Sequence, residues 1–160
     1  TDAPYINNAP RDDVLTATKD SVLNILHGHG STDYFSASTP EINGASILAK
    51  RQFYPALWFL DACSTLQYCY NCASSNVDSL LRSSALHIFG SVDVGTYGSI
   101  SSYWYLPYLT ENIPISDVIN LGLNNSKSYY EDDPNLGATR CNILGQNQLL
   151  GDPLVIYHFN

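Results

Sequence analysis

Three short, uninterrupted apolar runs constrain this chain most: "SVLNIL" at 21–26, "PALWFLDA" at 55–62 and "ALHIFG" at 85–90. Each has the length of a strand, and none alternates polar with apolar residues. Such a strand must be covered on both faces, as the strands of a parallel sheet are. Helix signals lie around the runs. Pro10 and Asp12 start a helix that carries Val14, Leu15 and Ala17. Ser75 or Asn76 caps another, with Val77, Leu80 and Leu81 on one face. "SISSYWYLPYL" reads as helical until Pro107, and Ser116 as the cap of a late helix with Val118, Ile119 and Leu123 inward. "LLGDPLVIYHF" predicts a turn at Gly151–Pro153 and then a last strand. Strand, helix, strand, helix, strand is the rhythm of an α/β fold with a parallel sheet. No internal repeat or low-complexity linker divides the chain, so residues 1–160 are expected to form one domain.

The composition narrows the function classes. Hydrophobic residues make up 44% and charged residues 14%, as in a folded globule. Seven basic against fifteen acidic residues give a net charge of −8, which argues against nucleic acid or an anionic membrane as partner. No apolar run approaches the roughly 18 residues of a membrane span. Low charge, abundant Tyr, Ser and Asn, and the lack of Met have the look of an extracellular or cell-surface protein. The sequon Asn124-Asn125-Ser126 points the same way.

The chemistry-bearing residues gather at the strand ends. In parallel sheets the right-handed crossovers align the strands, so the loops after successive strands meet at one rim. His27 and His29 follow the first run, in "LHGHGS", and Cys63 follows the second. A thiol becomes a nucleophile beside a base, and an imidazole can supply that base and later protonate a leaving amine. Gly30 lets a backbone N–H approach a substrate carbonyl, and the N–H of Cys63 is a second donor for an oxyanion. Cys69 and Cys72 form a C-x-x-C in a polar stretch that reads as a loop, not as the helix start that redox pairs use. Cys69, Cys72 and Cys141 are disulfide candidates, with the pairing open. No metal site is indicated, because His87, Cys141 and His158 lack ligand spacing.

"LNILHGHGS", "FLDACST", "LHIFGSVDVGTYGS" and "LLGDPLVIY", in this order, resemble the gingipain-type cysteine peptidases of the caspase-like clan. The resemblance covers residues 20–157 and implies a three-layer sandwich of the caspase/haemoglobinase kind. It implies His29 as catalytic histidine, Cys63 as nucleophile and Gly30 as an oxyanion donor. The "GSVDVGTYGS" segment resembles the loop lining the first specificity pocket, which would place Asp93 or Tyr97 against the substrate side chain. Asp152 is expected to fix a turn. No cofactor is required. Secreted members often carry calcium, and "YEDDPN" at 130–135 offers carboxylates for a structural ion, although a solvated acidic loop explains the same residues. Two features depart from the pattern. Only residues 1–20 precede the His-bearing run, where the clan has further strands. The expectation is therefore a sheet lacking its first strands, completed by another chain or a precursor segment. Ser64 also follows Cys63, where relatives often have a Gly nearby. Three functions follow: a cysteine endopeptidase acting on peptide or protein substrates, a catalytically silent structural or surface module on the same scaffold, and a redox protein built on Cys69 and Cys72.

Overall fold

The computed structural model describes residues 10–36, 40–50, 55–67, 75–83, 85–92, 105–131 and 147–159, with the side chains of 127–131 left aside. Helix α1 spans Arg11–Ala17, strand β1 Leu23–His27, β2 Tyr34–Phe35, β3 Ile42–Asn43 and helix α2 Gly44–Lys50. Strand β4 spans Ala56–Asp61, α3 Asn76–Arg82, β5 Ala85–Ser91, α4 Ile115–Glu131 and β6 Asn147–Leu150. The main sheet has the order β1-β4-β5-β6. Its first two pairings are parallel and the last antiparallel. The three apolar runs are its first three strands.

Helices cover both faces of the sheet at its centre, but Val22 just before the edge strand β1, Ile25 within it and Leu86 in β5 are exposed, so the expected two-sided cover is complete only for β4. All six residues of β4 are buried. Trp58 and Leu60 point to one layer with Val14, Leu15, Ile47, Leu80 and Ile88. Leu57 and Phe59 point to the other, with Phe89, Tyr105, Leu109, Ile115, Val118 and Ile119. In the second layer the Tyr105 ring lies 5.5 Å from Phe59 and 5.0 Å from Phe89. Fully burying side chains of this size stabilises by about 1.5–3 kcal/mol each. The result is the expected three-layer α/β sandwich with a mainly parallel sheet.

Local details differ from expectation at four places. In α3, Ser75 does cap the helix, its hydroxyl accepting from the Asp78 N–H at 3.0 Å. Leu81, however, is 47% exposed, while Asn76, Ser79 and Leu80 face inward. Asn76 turns the helix this way: its N–H donates to the Thr32 carbonyl (2.9 Å) and its side-chain amide to the Ser31 carbonyl (3.2 Å). Pro107 sits in the first turn of a short 3-10 helix, Leu106–Tyr108, where a missing N–H costs nothing, and the stretch expected to be helical before Tyr105 lies outside the described residues. Ser116 lies within α4 rather than capping it, and its N–H donates to the Pro153 carbonyl at 3.1 Å. The last strand precedes Gly151 instead of following Pro153. Beyond the turn the chain makes one isolated bridge among the described residues, Ile156 with Pro114.

Candidate active site

Register decides what meets at the rim. In the parallel β1–β4 pairing His27 stands opposite Asp61. The Gly28 N–H continues the ladder, donating to the Asp61 carbonyl at 3.2 Å. His29 and Cys63 each follow two residues beyond that pair, at the carboxyl ends of adjacent strands. The topology therefore brings the two sequence-predicted residues to one edge. His29 is exposed and Cys63 half-buried.

The loop carrying His29 is held by its own backbone. The His29 carbonyl accepts from the Ser36 N–H at 2.8 Å, and the Ser31 N–H donates to the Tyr34 carbonyl at 2.9 Å. These bonds bridge Gly30 to Phe35, whose ring is buried. Neither bond uses the Gly30 N–H, which meets no hydrogen-bond partner among the described residues. Gly30 also abuts the turn after β4. A Cβ there would stand 2.8 Å from Ala62 Cβ, 3.0 Å from Thr65 Cγ2 and 3.2 Å from the Cys63 carbonyl oxygen. Glycine is required by this close approach, not by its backbone angles.

The turn that presents Cys63 is wedged between two strand ends. Ser64 adopts φ 52°, a left-handed conformation unusual for a residue with a Cβ. Thr65 is fully buried, and the Leu66 N–H donates to the Ser91 carbonyl of β5 at 2.8 Å. A Cβ on Gly90 would lie 2.6 Å from Thr65 Oγ1. Thus the "HGHGS", "DACST" and "IFGS" segments pack on one another. The fourth segment anchors the far edge. Gly151, at φ +129°, lies against His87 and the Leu86 carbonyl. His87 is buried, its Nε2–H donating to the Asp152 carbonyl (2.6 Å) and its Nδ1 meeting the Tyr157 hydroxyl (2.6 Å). The Asp152 carboxylate accepts from the Leu154 N–H at 3.0 Å, as the expected turn role requires.

One functional-type residue was missed by sequence reading. Asp61 is 3% exposed, and its Oδ2 takes His27 Nδ1 at 2.7 Å. An acidic residue ending an apolar run is the only signal that could have drawn attention to it. Asp93, Tyr97, Cys69, Cys72, Cys141 and the acidic stretch beyond Glu131 lie outside the described residues. Among the described residues no group of three or more His, Cys, Asp or Glu side chains is placed to hold a metal. Among them, too, no helix is long and apolar enough to cross a membrane. The sequon lies on α4, with Asn124 exposed and the Ser126 hydroxyl turned to the Leu123 carbonyl at 2.8 Å.

No protein-family model and no curated protein matches the chain. Solved structures do. The Arg-specific cysteine proteinase gingipain R superposes with TM-score 0.73 at 16% identity, over 95% of this chain and 37% of that one. The complex of Porphyromonas gingivalis RgpB pro- and mature domains gives TM-score 0.75 at 14% identity, over 95% and 38%. A structure described as a protease gives 0.67 at 15% identity, over 87% and 36%. The chain thus spans a little over a third of the length of these solved chains. At such identities the similarity establishes architecture alone: this chain has the gingipain, caspase-like fold.

Proposed function

We propose that this rim is the active site of a cysteine endopeptidase. Cys63 is the nucleophile and His29 the general base. The imidazole takes the thiol proton as Sγ attacks the scissile carbonyl, then gives it to the leaving amine. Water hydrolyses the resulting thioester and regenerates the thiol. The N–H groups of Gly30 and Cys63 receive the oxyanion. The reading is carried by the contact of Gly30 with the Ala62–Thr65 turn, which joins the loop that bears His29 to the turn that bears Cys63. The segment bearing Asp93 and Tyr97 supplies the pocket for the substrate side chain. These steps need no cofactor, and any calcium held by residues 130–135 would be structural. Secretion or surface display fits the composition.

A partner segment belongs to the same proposal. Among the described residues β1 is an edge strand, with Val22 44% and Ile25 36% exposed. It carries no lysine or proline to discourage strand pairing. A further segment of the precursor, or another chain, pairs with this edge. The solved complex of pro- and mature domains supports such a partner by analogy.

One observation favours a second reading, a catalytically silent module on the same scaffold. Ser64 holds a left-handed conformation that glycine would hold without strain. The two readings are separated by acyloxymethyl ketone probes ending in Arg, Lys, Asp or Asn, with the modified residue identified by peptide mass spectrometry. Labelling of Cys63 that is lost in His29→Ala and on denaturation supports the peptidase and names its preferred residue. A folded protein, with its partner segment present, that leaves Cys63 unlabelled by every probe supports the silent module.

A further inference from the structure

The rim holds two histidines, and the structure treats them differently. His29 is exposed, and among the described residues its imidazole meets no hydrogen-bond partner. His27 is exposed too, its side chain 72% accessible, yet its Nδ1 is fixed on a carboxylate that is 2% exposed. Because a carboxylate accepts, Nδ1 carries the proton, and the ring is locked in one orientation. At 2.7 Å this contact has the length of a charge-assisted bond. Burying a carboxylate is costly unless it is paired, so a sequence that ends its central strand in Asp61 must gain something from the pair. The charge is also felt at Tyr105, whose hydroxyl is pushed above its ordinary value by burial and, secondarily, by Asp61.

The pair lies at a mechanically weak point. Strand β1 is at the sheet edge and, among the described residues, is gripped only by β4. At its carboxyl end the hold on β4 includes the His27–Asp61 bond and the long 3.2 Å bond from the Gly28 N–H to the Asp61 carbonyl. One residue later comes His29. His29 and Cys63 each stand two residues past this pair, in the segments that leave β1 and β4.

We propose that His27 and Asp61 are a positioning pair that fixes the end of β1, and through it His29, relative to Cys63. Neither residue touches the reacting atoms. The inference rests on the peptidase reading, and it predicts an effect on the chemical step rather than on substrate binding.

The test uses the full-length natural protein and the acyloxymethyl ketone that labels it fastest. Asp61→Ala risks losing the fold, so the exposed partner is varied instead. His27→Ala removes the tie. His27→Asn returns an N–H donor near the position of Nδ1. The expected result is a roughly tenfold fall in the maximal labelling rate of Cys63 in His27→Ala, with the probe concentration for half-saturation unchanged, since misplacement of reacting groups by an ångström can cost up to a hundredfold. His27→Asn recovers the rate to within about twofold. A wild-type rate in His27→Ala overturns the proposal while leaving the peptidase reading standing. So does a change confined to half-saturation, or an Asn variant as slow as the Ala variant. A wild-type protein that never labels at Cys63 overturns both.

Discussion

Thr65 fills the space that a side chain at Gly90 would need: its Oγ1 lies 2.6 Å from where a Cβ would stand. Leu66 Cγ and Leu60 Cβ close the other sides at 3.2 and 3.3 Å. The turn that bears Cys63 is thereby seated directly on β5. Gly90→Ala is expected to destabilise by about 1–3 kcal/mol through overpacking. Thr65→Ala should relieve part of this, so the double variant loses less than the sum of the singles. Urea unfolding of the four proteins measures the coupling, and strict additivity would refute the contact.

Ser64 invites the opposite experiment. A left-handed residue with a Cβ costs about 1–2 kcal/mol, and glycine's extra freedom in the unfolded chain returns roughly half of the gain. Ser64→Gly is therefore expected to stabilise by up to about 1 kcal/mol. Ser64→Val should destabilise, since a β-branched residue fits this region worst. Equal denaturation midpoints for all three would mean that residue 64 is not held at positive φ.

The helix α4 lies against Tyr105 at Gly122, where a Cβ would overlap the ring at Cδ1 and Cε1. Alanine raises helix propensity by about 1 kcal/mol. Forcing an immobile buried ring aside costs about 1–3 kcal/mol. Tyr105 is 1% exposed and enclosed by Phe59 and Phe89, so packing should win and Gly122→Ala should lower the melting temperature. A rise would show that the ring can move.

Alkaline pH should weaken the fold through its tyrosines. Burial pushes the Tyr157 hydroxyl up to about 12 from an ordinary 10.0. Tyr105 is raised too, by burial and then by Asp61. Groups that hold their protons more tightly when folded contribute fully below about pH 10, and that contribution is lost as pH rises through the folded value near 12. Unfolding free energy should fall across this window, and less steeply in Tyr157→Phe. Tyrosinate absorbance should show a late-titrating class that denaturation abolishes.

Much of this architecture was legible because it is written in local chemistry. The apolar runs at 21–26, 55–62 and 85–90 hold β1, β4 and β5, although only the central β4 is buried along its whole length while Val22, Ile25 and Leu86 are exposed, and Ser75 announces its cap through its hydroxyl. The rim followed from topology once those strands were taken as parallel. What escaped depended on partners distant in sequence. Asp61 gains meaning only opposite His27, 34 residues away, through register. Leu81 fits an apolar stripe, but Asn76, bonded to the His29 loop, sets which side of α3 turns inward. Helix α2, seven residues with only Gly44 and Ile47 buried, is too short for its periodicity to stand out. Strand β6 is half-exposed along its length, without the apolar run that marks the others.

The parallel pairing of β1 with β4 also has a kinetic consequence. Parallel neighbours cannot form as a hairpin, so the chain must close a long loop before His29 and Cys63 come near each other. Late-forming, non-local contacts of this kind are absent from early collapsed species. In refolding, secondary structure should therefore return before the cysteine can be acylated. For the proposed peptidase, assembly in this order would leave no cutting edge while its own chain is still open to attack, so nascent copies would be spared by one another.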